Sequence, residues 1–219
     1  MQNFAVIGLG QFGKCMVESL AKRNCDVVVL DQDEKKVDWA RDLVANVVKA
    51  DVLNFGVFDE LFPKGLHCAI VDLGEHMEPS ILVTNHLHKL QVTNIVVQAL
   101  NPQHAEILQI VGATKVVFPE KEAAERVAGT VTGHRTLEYF PVSDVFSVIE
   151  IQVPLNWIGH DLAEMRLRTD KQILLVAFRK QGADRHTEPW QLASAERAFE
   201  TGDIVLLAGT TKSLRALTK

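Results

Sequence analysis

Short apolar runs alternate with longer amphipathic segments along the first 118 residues of the chain. The apolar runs predict buried strands at residues 3–8, 26–31, 46–51, 68–73, 94–100 and 115–118. Apolar positions at helical spacing predict helices near residues 11–24, 33–44, 54–62, 79–90 and 102–111. The strands are continuous Val and Ile runs, which is typical of strands covered on both faces. This order predicts an α/β fold with a Rossmann-type, doubly wound parallel sheet.

The pattern changes after Pro119. The stretch PEKEAAERVAGTVTG predicts a further helix, after which we expect no seventh strand, so its apolar positions are available to a partner. Beyond about Tyr139 the chain predicts a small α+β domain. Its expected elements are strands at 147–154, 172–180 and 203–209, one helix at 160–167, and a polar link or edge strand at 185–190. We place the two domains at residues 1–137 and 138–219.

Composition and charge narrow the function classes. Hydrophobic residues make up 47% and charged residues 23% of the chain, as in an ordinary globular protein. The net charge of −5 argues against a nucleic-acid partner, because such binders usually carry a basic excess. Three cysteines without a CxxC pair favour a reducing compartment. No signal peptide and no bilayer-spanning apolar run is visible, so we expect a cytoplasmic protein.

The strongest chemical signal is GLGQFG, which follows the first predicted strand and opens the first helix. Gly8 permits the tight turn, Gly10 the close approach of a diphosphate, and Gly13 the packing of the helix on the sheet. The helix N-terminus offers N–H groups and a partial positive charge to phosphate. Asp31 ends the second strand, where it is placed to accept ribose hydroxyls and to repel the 2′-phosphate of NADP. The alternative is a plain strand-to-helix turn with Asp31 as a helix N-cap.

Other polar residues carry weaker signals. Asp51 ends the third predicted strand and either faces the nucleoside, since ligands lie outside the carboxyl ends of parallel strands, or is a loop residue that caps the next helix. The backbone near Gly74 is expected to face the phosphates. For Asp72 we favour a capping role for the next helix, because an unneutralised carboxylate beside phosphate is unfavourable. We take Cys15 to be a buried small hydrophobe and His104 to be isolated.

A nicotinamide-dependent oxidoreductase is the competing function class, since it would share the Rossmann site. Such an enzyme needs a positioned acid or base in a substrate domain. The C-terminal part offers only His160, beside Gly159 and Asp161, and that segment is typical of the start of a short helix. We therefore expect no enzymatic activity.

The whole chain resembles a known family in the order of its motifs. These motifs are FAVIGLGQFG, Asp31, Asp51, IGATKVVFPEKEAAERVA, VIEIQVPLNWIGHDLAEMRLR, ILLVAFRK and ETGDIVLLAG. Together they resemble the RCK (regulator of potassium conductance) family, and most of all the cytosolic regulatory subunits of Trk/Ktr-type potassium uptake systems, with a TrkA-N domain followed by a TrkA-C domain. The combination is more specific than the glycine motif, which fits many dehydrogenases.

The resemblance implies a nucleotide-sensing subunit that gates a membrane potassium-translocating subunit and lies on the inner face of the membrane through that partner. It implies homodimers formed through the crossover helix after the sixth strand, assembled into a larger ring, with an octamer expected. A regulator of another transporter is the alternative within the same family.

The resemblance also implies an adenine nucleotide, ADP, ATP or NAD(H), in the N-terminal domain. The positions expected to line its site are Gly8, Gly10, Gln11, Phe12, Gly13, Asp31, Asp51, Gly74 and Gln98. Glu120 matches an acid that helps to hold Mg²⁺ or Ca²⁺ near ATP, the alternative being a carboxylate that stabilises a helix N-terminus. Ktr proteins usually carry basic residues where Gln11 and Gln98 stand, so this pocket is expected to have a weaker preference for ATP.

Overall fold

The computed structural model of the protein describes residues 3–62, 66–132, 136–180, 189–192 and 197–217. The chain divides into two compact units, Met1–Pro119 and Glu120–Lys219. This division falls ahead of the helix that we assigned to the N-terminal domain, and the boundary after residue 137 stays a prediction. No helix within the described ranges combines the length and the apolar character needed to cross a bilayer.

The N-terminal unit is an α/β sandwich, as the alternating pattern predicts. Its strands are β1 (Asn3–Ile7), β2 (Asp26–Asp31), β3 (Asn46–Lys49), β4 (Cys68–Val71), β5 (Ile95–Gln98) and β6 (Lys115–Val117). Its helices are α1 (Gln11–Ala21), α2 (Glu34–Arg41), α3 (Phe55–Leu61), α4 (Met77–Lys89) and α5 (Pro102–Ile110). The described strands are parallel and lie in the order β3-β2-β1-β4-β5-β6, which confirms the Rossmann-type sheet.

The two faces of the sheet are buried in two separate clusters, which explains the continuous apolar runs. Ala5 and Ile7 of β1 pack in one cluster and Val6 in the other, because successive side chains of a strand point to opposite faces. Helix starts are set by local chemistry. Asp33 accepts the N–H of Lys35 at the start of α2, and Asn101 accepts that of His104 before α5.

The C-terminal unit is α+β, as expected. It begins with α6 (Pro119–Thr132, of which Pro119 falls in the first unit) and continues through β7 (Thr136–Pro141), β8 (Phe146–Gln152), a 3₁₀ turn (Leu155–Trp157), α7 (Leu162–Met165), α8 (Leu167–Lys171), β9 (Ile173–Lys180), β10 (Gln191–Leu192), β11 (Asp203–Thr210) and α9 (Thr211–Leu217). Its described strands form an antiparallel sheet in the order β10-β9-β11-β8-β7. Trp157 and Phe199 pack together in its core.

The described parallel sheet has six strands, so α6 leads to no seventh strand there, but the sequence reasoning missed a strand of the antiparallel sheet directly after α6. β7 begins at Thr136 and pairs with β8 as an edge strand of the antiparallel sheet. Its short TLEYFP sequence ends at a proline and is only half-buried, so it carried little strand signal. The single helix expected at 160–167 is also wrong: Arg166 adopts a left-handed backbone conformation and separates α7 from α8. Residues 185–188 of the expected polar link lie outside the described residues.

Candidate nucleotide-binding site

The site lies where the order of the parallel strands reverses. From β1 the sheet extends through β2 and β3 on one side and through β4, β5 and β6 on the other. Open α/β sheets bind ligands in the crevice at this switch point, outside the carboxyl ends of the strands. The glycine loop follows β1 and the segment from Asp72 to Gly74 follows β4. The topology therefore brings two segments together that the sequence separates by about sixty residues.

The glycine loop is closely packed against the end of β4. Gly8 has φ of +88°, which favours glycine, and a Cβ there would collide with the backbone carbonyl of Asp72. A Cβ on Gly13 would collide with the carbonyl of Gly8, so the third glycine lets α1 lie close on the loop. A Cβ on Gly10 would collide with the carboxylate of Asp72. The space left open by the second glycine thus borders a carboxylate.

Asp31 holds the loop and the start of α2 together. Its side chain is buried, with 6% of the residue exposed, and it accepts the N–H of Leu9 at 2.6 Å and that of Asp33 at 2.8 Å. Lys36 Nζ lies 3.8 Å from Asp31 Oδ2. The N-cap of α2 is Asp33, so the alternative that Asp31 is that N-cap does not hold. A carboxylate accepts about four hydrogen bonds, which leaves Asp31 capacity for ribose hydroxyls.

The remaining predicted residues lie along the same edge of the sheet. Gln11 is exposed at the first position of α1, whereas Phe12 packs in the hydrophobic cluster on one face of the sheet. Asp51 is exposed and accepts the N–H of Leu53 at 2.9 Å. Gln98 is the last residue of β5 and is half-buried. Because β3 and β5 each lie two strands from β1, these ends are about 10 Å from it across the sheet.

Glu120 belongs to a different unit of the chain from the other predicted site residues. It is exposed in the first turn of α6, in the C-terminal unit. Among the described residues no three His, Cys, Asp or Glu side chains are grouped so as to hold a metal ion. A divalent cation at Glu120 therefore stays a prediction.

The sequence reasoning missed the role of Asp72. Its Oδ2 accepts the N–H of Gly13 at 2.7 Å and its Oδ1 accepts that of Gly74 at 3.2 Å. It therefore caps α1 across the switch point and not α4, whose N-cap is His76. The signal in the sequence was an acid directly after a buried strand, at the same edge as the glycine motif. Gly74 has φ of +58°, which turns its N–H back to this carboxylate.

Two other expectations need correction. Cys15 is exposed on α1 and is not a buried hydrophobe. His104 is buried and not isolated: its Nδ1 accepts the N–H of Leu100 at 3.3 Å, and its Nε2 lies 2.8 Å from Ser80 Oγ. Ser80 Oγ donates to the carbonyl of Met77, so Nε2 carries the proton and donates to Ser80. Burial lowers the pKa of His104, which keeps the ring neutral in this network.

Comparisons with known proteins decide the family. The TrkA-N domain family matches residues 4–119. The Ktr system potassium uptake protein C of Bacillus subtilis (strain 168) is 30% identical over 218 residues, covering 100% of this chain and 96% of that protein. This chain belongs to the Trk/Ktr family of TrkA-N domain proteins. The Ktr system potassium uptake protein A of Vibrio alginolyticus is 25% identical over 213 residues, covering 97% of this chain and 94% of that protein.

Solved structures of other proteins share the fold of this Trk/Ktr family chain. The GsuK channel bound to NAD matches with a TM-score of 0.67 at 18% identity, covering 99% of this chain and 38% of that chain. The GsuK RCK domain matches with a TM-score of 0.65 at 19% identity, covering 99% of this chain and 47% of that chain. The chain thus spans less than half of the length of these proteins. The resemblance to RCK proteins is confirmed at the level of fold, and the resemblance to Ktr proteins at the level of family.

Proposed function

We propose that this chain is a nucleotide-sensing regulatory subunit that gates a membrane potassium-translocating subunit. The observation that carries the proposal is the end-to-end likeness to Ktr system potassium uptake proteins, which spans both units of the chain. A regulatory subunit needs a ligand site and a surface for partners. The switch point of the N-terminal unit and the exposed apolar residues of the C-terminal unit offer these two features.

The ligand that suits the switch point is an adenine nucleotide: ADP, ATP or NAD(H). Gly8, Gly10 and Gly13 form the loop at the N-terminus of α1, where N–H groups and the helix dipole favour phosphate. In this proposal Asp31, at the end of β2, accepts hydrogen bonds from the adenosine ribose. Asp51, which follows β3, contacts the adenine. The GsuK channel, which shares the fold, has been solved bound to NAD, and this supports the ligand class.

The partners that we propose are a second copy of the chain and then a ring, with an octamer as the expected size. α6 has no buried residue, and its Val127 and Val131 are 56% and 74% exposed. Apolar side chains at helical spacing on an exposed helix favour burial against another surface. A dimer formed through this helix would bury both valines.

Two experiments test the function. Affinity purification of the tagged chain from its own cells should recover a potassium-translocating membrane subunit, and a different transporter recovered in its place would favour the alternative regulator. Denaturation of the purified protein should release an adenine nucleotide that mass spectrometry identifies.

The oxidoreductase alternative makes a different prediction. Steady-state turnover of NAD(H) with candidate substrates, at a rate proportional to protein concentration, would favour a dehydrogenase over a gating subunit, because regulation requires binding without turnover.

A further inference from the structure

Asp72 is a buried carboxylate at the switch point that the proposed function does not use. Only 2% of the residue is exposed, and its side chain accepts hydrogen bonds from the backbone N–H groups of Gly13 and Gly74. Gly13 is the third residue of α1. The carboxylate therefore occupies part of the helix N-terminus at which a phosphate is expected to bind.

The carboxylate also borders the residue that a diphosphate approaches. A Cβ built on Gly10 would collide with both carboxylate oxygens of Asp72, so these oxygens lie directly against the second glycine. In the glycine motif, the missing Cβ at this position lets the backbone approach the diphosphate. A ligand phosphate at Gly10 would thus lie close to a fixed negative charge.

The surroundings of Asp72 stabilise its charge without cancelling it. The two hydrogen-bond donors are neutral backbone N–H groups, and the partial charge of the helix N-terminus is about half an elementary charge. Lys36 lies near the other buried acid, at 3.8 Å from Asp31. Because salt and water screen buried charges much less than exposed ones, the repulsion between Asp72 and a phosphate persists at physiological ionic strength.

We propose that Asp72 is a specificity-determining residue that weakens binding with each further negative charge on the phosphates of the ligand. The inference rests on the proposed nucleotide site. In the diphosphate diester of a dinucleotide each phosphate carries one charge, whereas a terminal phosphate monoester carries most of a second charge at neutral pH. The site therefore takes dinucleotides of the NAD type ahead of ADP, and ADP ahead of metal-free ATP.

The same geometry gives Asp72 a second, opposite effect in the ligand-free protein. Its carboxylate supplies the anion that satisfies the N–H of Gly13 and favours the start of α1. Removing its charge should therefore destabilise the ligand-free protein while it strengthens phosphate binding. If Asp72 only shaped the loop, removing its charge would weaken both the stability of the ligand-free protein and its binding of phosphate.

The test is isothermal titration of the full chain with NAD, ADP and ATP in the presence of a metal chelator, for the wild type, Asp72→Asn and Asp26→Asn. Asp72→Asn keeps the shape of the side chain and one acceptor. Asp26→Asn makes the same charge change at the exposed start of β2, which is the end of that strand away from the glycine loop. We expect Asp72→Asn to raise the affinity for ATP about tenfold, that for ADP less and that for NAD least, as for close charges in a partly desolvated site. The control should change none of them, and the melting temperature of ligand-free Asp72→Asn should fall.

Equal changes for all three ligands, or no change, would overturn the charge role of Asp72 while leaving the nucleotide site intact. If Asp72→Asn does not fold, the wild-type series decides, and tighter binding of metal-free ATP than of ADP overturns the proposal. If the wild type binds no adenine ligand, the proposed site fails and this inference fails with it.

Discussion

At the residue scale, Asp31 organises the glycine loop, and the proposed function also gives it a role in ligand recognition. Its carboxylate accepts hydrogen bonds from the N–H groups of Leu9 and Asp33 and has the capacity to accept more. We expect Asp31→Ala to weaken binding of NAD or ADP by about 1.5–3 kcal/mol, as for hydrogen bonds to a charged group. Calorimetry measures the loss, with Asp26→Ala at the far end of the same strand as the control. Unchanged affinity together with a lowered melting temperature would show that Asp31 only organises the loop.

Gln11 is a second residue at which we expect the charge of the ligand phosphates to affect the affinity. It is exposed at the first position of α1, where the family resemblance implies a basic residue. We expect Gln11→Arg to raise the affinity for ATP selectively by about 1 kcal/mol, the difference between charged and neutral hydrogen bonds. Titrations with and without magnesium should show the gain mainly in the metal-free series. Gln109→Arg, exposed near the end of α5, is the control, and an equal gain in that variant would mean a general charge effect.

At the element scale, the sequence predicted the parallel sheet better than the C-terminal sheet. Strands buried on both faces, such as β1 and β2, are continuous apolar runs and therefore give a clear signal. The edge strand β7 is half-buried and ends at Pro141, so its pattern was too weak to predict. The glycine loop and Asp31 could be read from spacing. The contact between Asp72 and Gly13 could not, because it joins residues 59 positions apart and depends on strand order.

The exposed apolar residues of α6 lead us to predict a dimer interface on this helix. Val127 and Val131 are exposed on it, and a dimer through this helix would bury them. Val127→Glu would place an unpaired carboxylate in that interface, a change that is strongly destabilising when the charge is buried. Light scattering should then show monomers or aggregates. Thr132→Glu adds the same charge elsewhere on the helix and should keep the normal size. An assembly of normal size for Val127→Glu would contradict the placement.

The hydrogen bonds and ion pairs at the start of β11 lead to a prediction about the stability of the C-terminal unit. Asp203 is 0% exposed; it accepts the N–H of Glu200 at 2.9 Å and pairs with Arg197 at 2.9 Å and Lys180 at 3.1 Å. Burial raises the pKa of Asp203, but the hydrogen bonds from Arg197, Glu200 and Lys180 outweigh it, so the pKa lies below its ordinary value.

Because the pKa of Asp203 is lowered in the folded state, its contribution to stability is present above the unfolded pKa and is lost as the pH falls through the folded pKa. We expect Asp203→Asn to lower the free energy of unfolding by about 2 kcal/mol at neutral pH, with a smaller effect in strong acid. Urea unfolding followed by tryptophan fluorescence measures this change. Asp144→Asn, an exposed acid of the same unit, should have no effect. A loss that is independent of pH would contradict an ionic role.

At the scale of the whole molecule, the proposed function assigns a ligand site to one unit of the chain and partner surfaces to the other. The relatives match both units of the chain, which supports the proposal that the nucleotide site and the C-terminal unit act within one regulatory protein. For a nucleotide to control a transporter, its binding free energy must differ between the two states of the assembly. A variant that binds the transporter but not the nucleotide should therefore lose the control and keep the assembly.

Potassium flux into proteoliposomes is the most direct measurement of this claim. The vesicles would contain the co-purified membrane subunit, with wild-type chain or Asp31→Ala added, and flux would be recorded with no nucleotide, with NAD and with ADP. At a nucleotide concentration that saturates the wild type but not Asp31→Ala, we expect the flux to change with nucleotide for the wild type and to change little for Asp31→Ala, with both chains bound to the vesicles. A flux that is the same with and without the wild-type chain, whatever the nucleotide, would contradict a gating role.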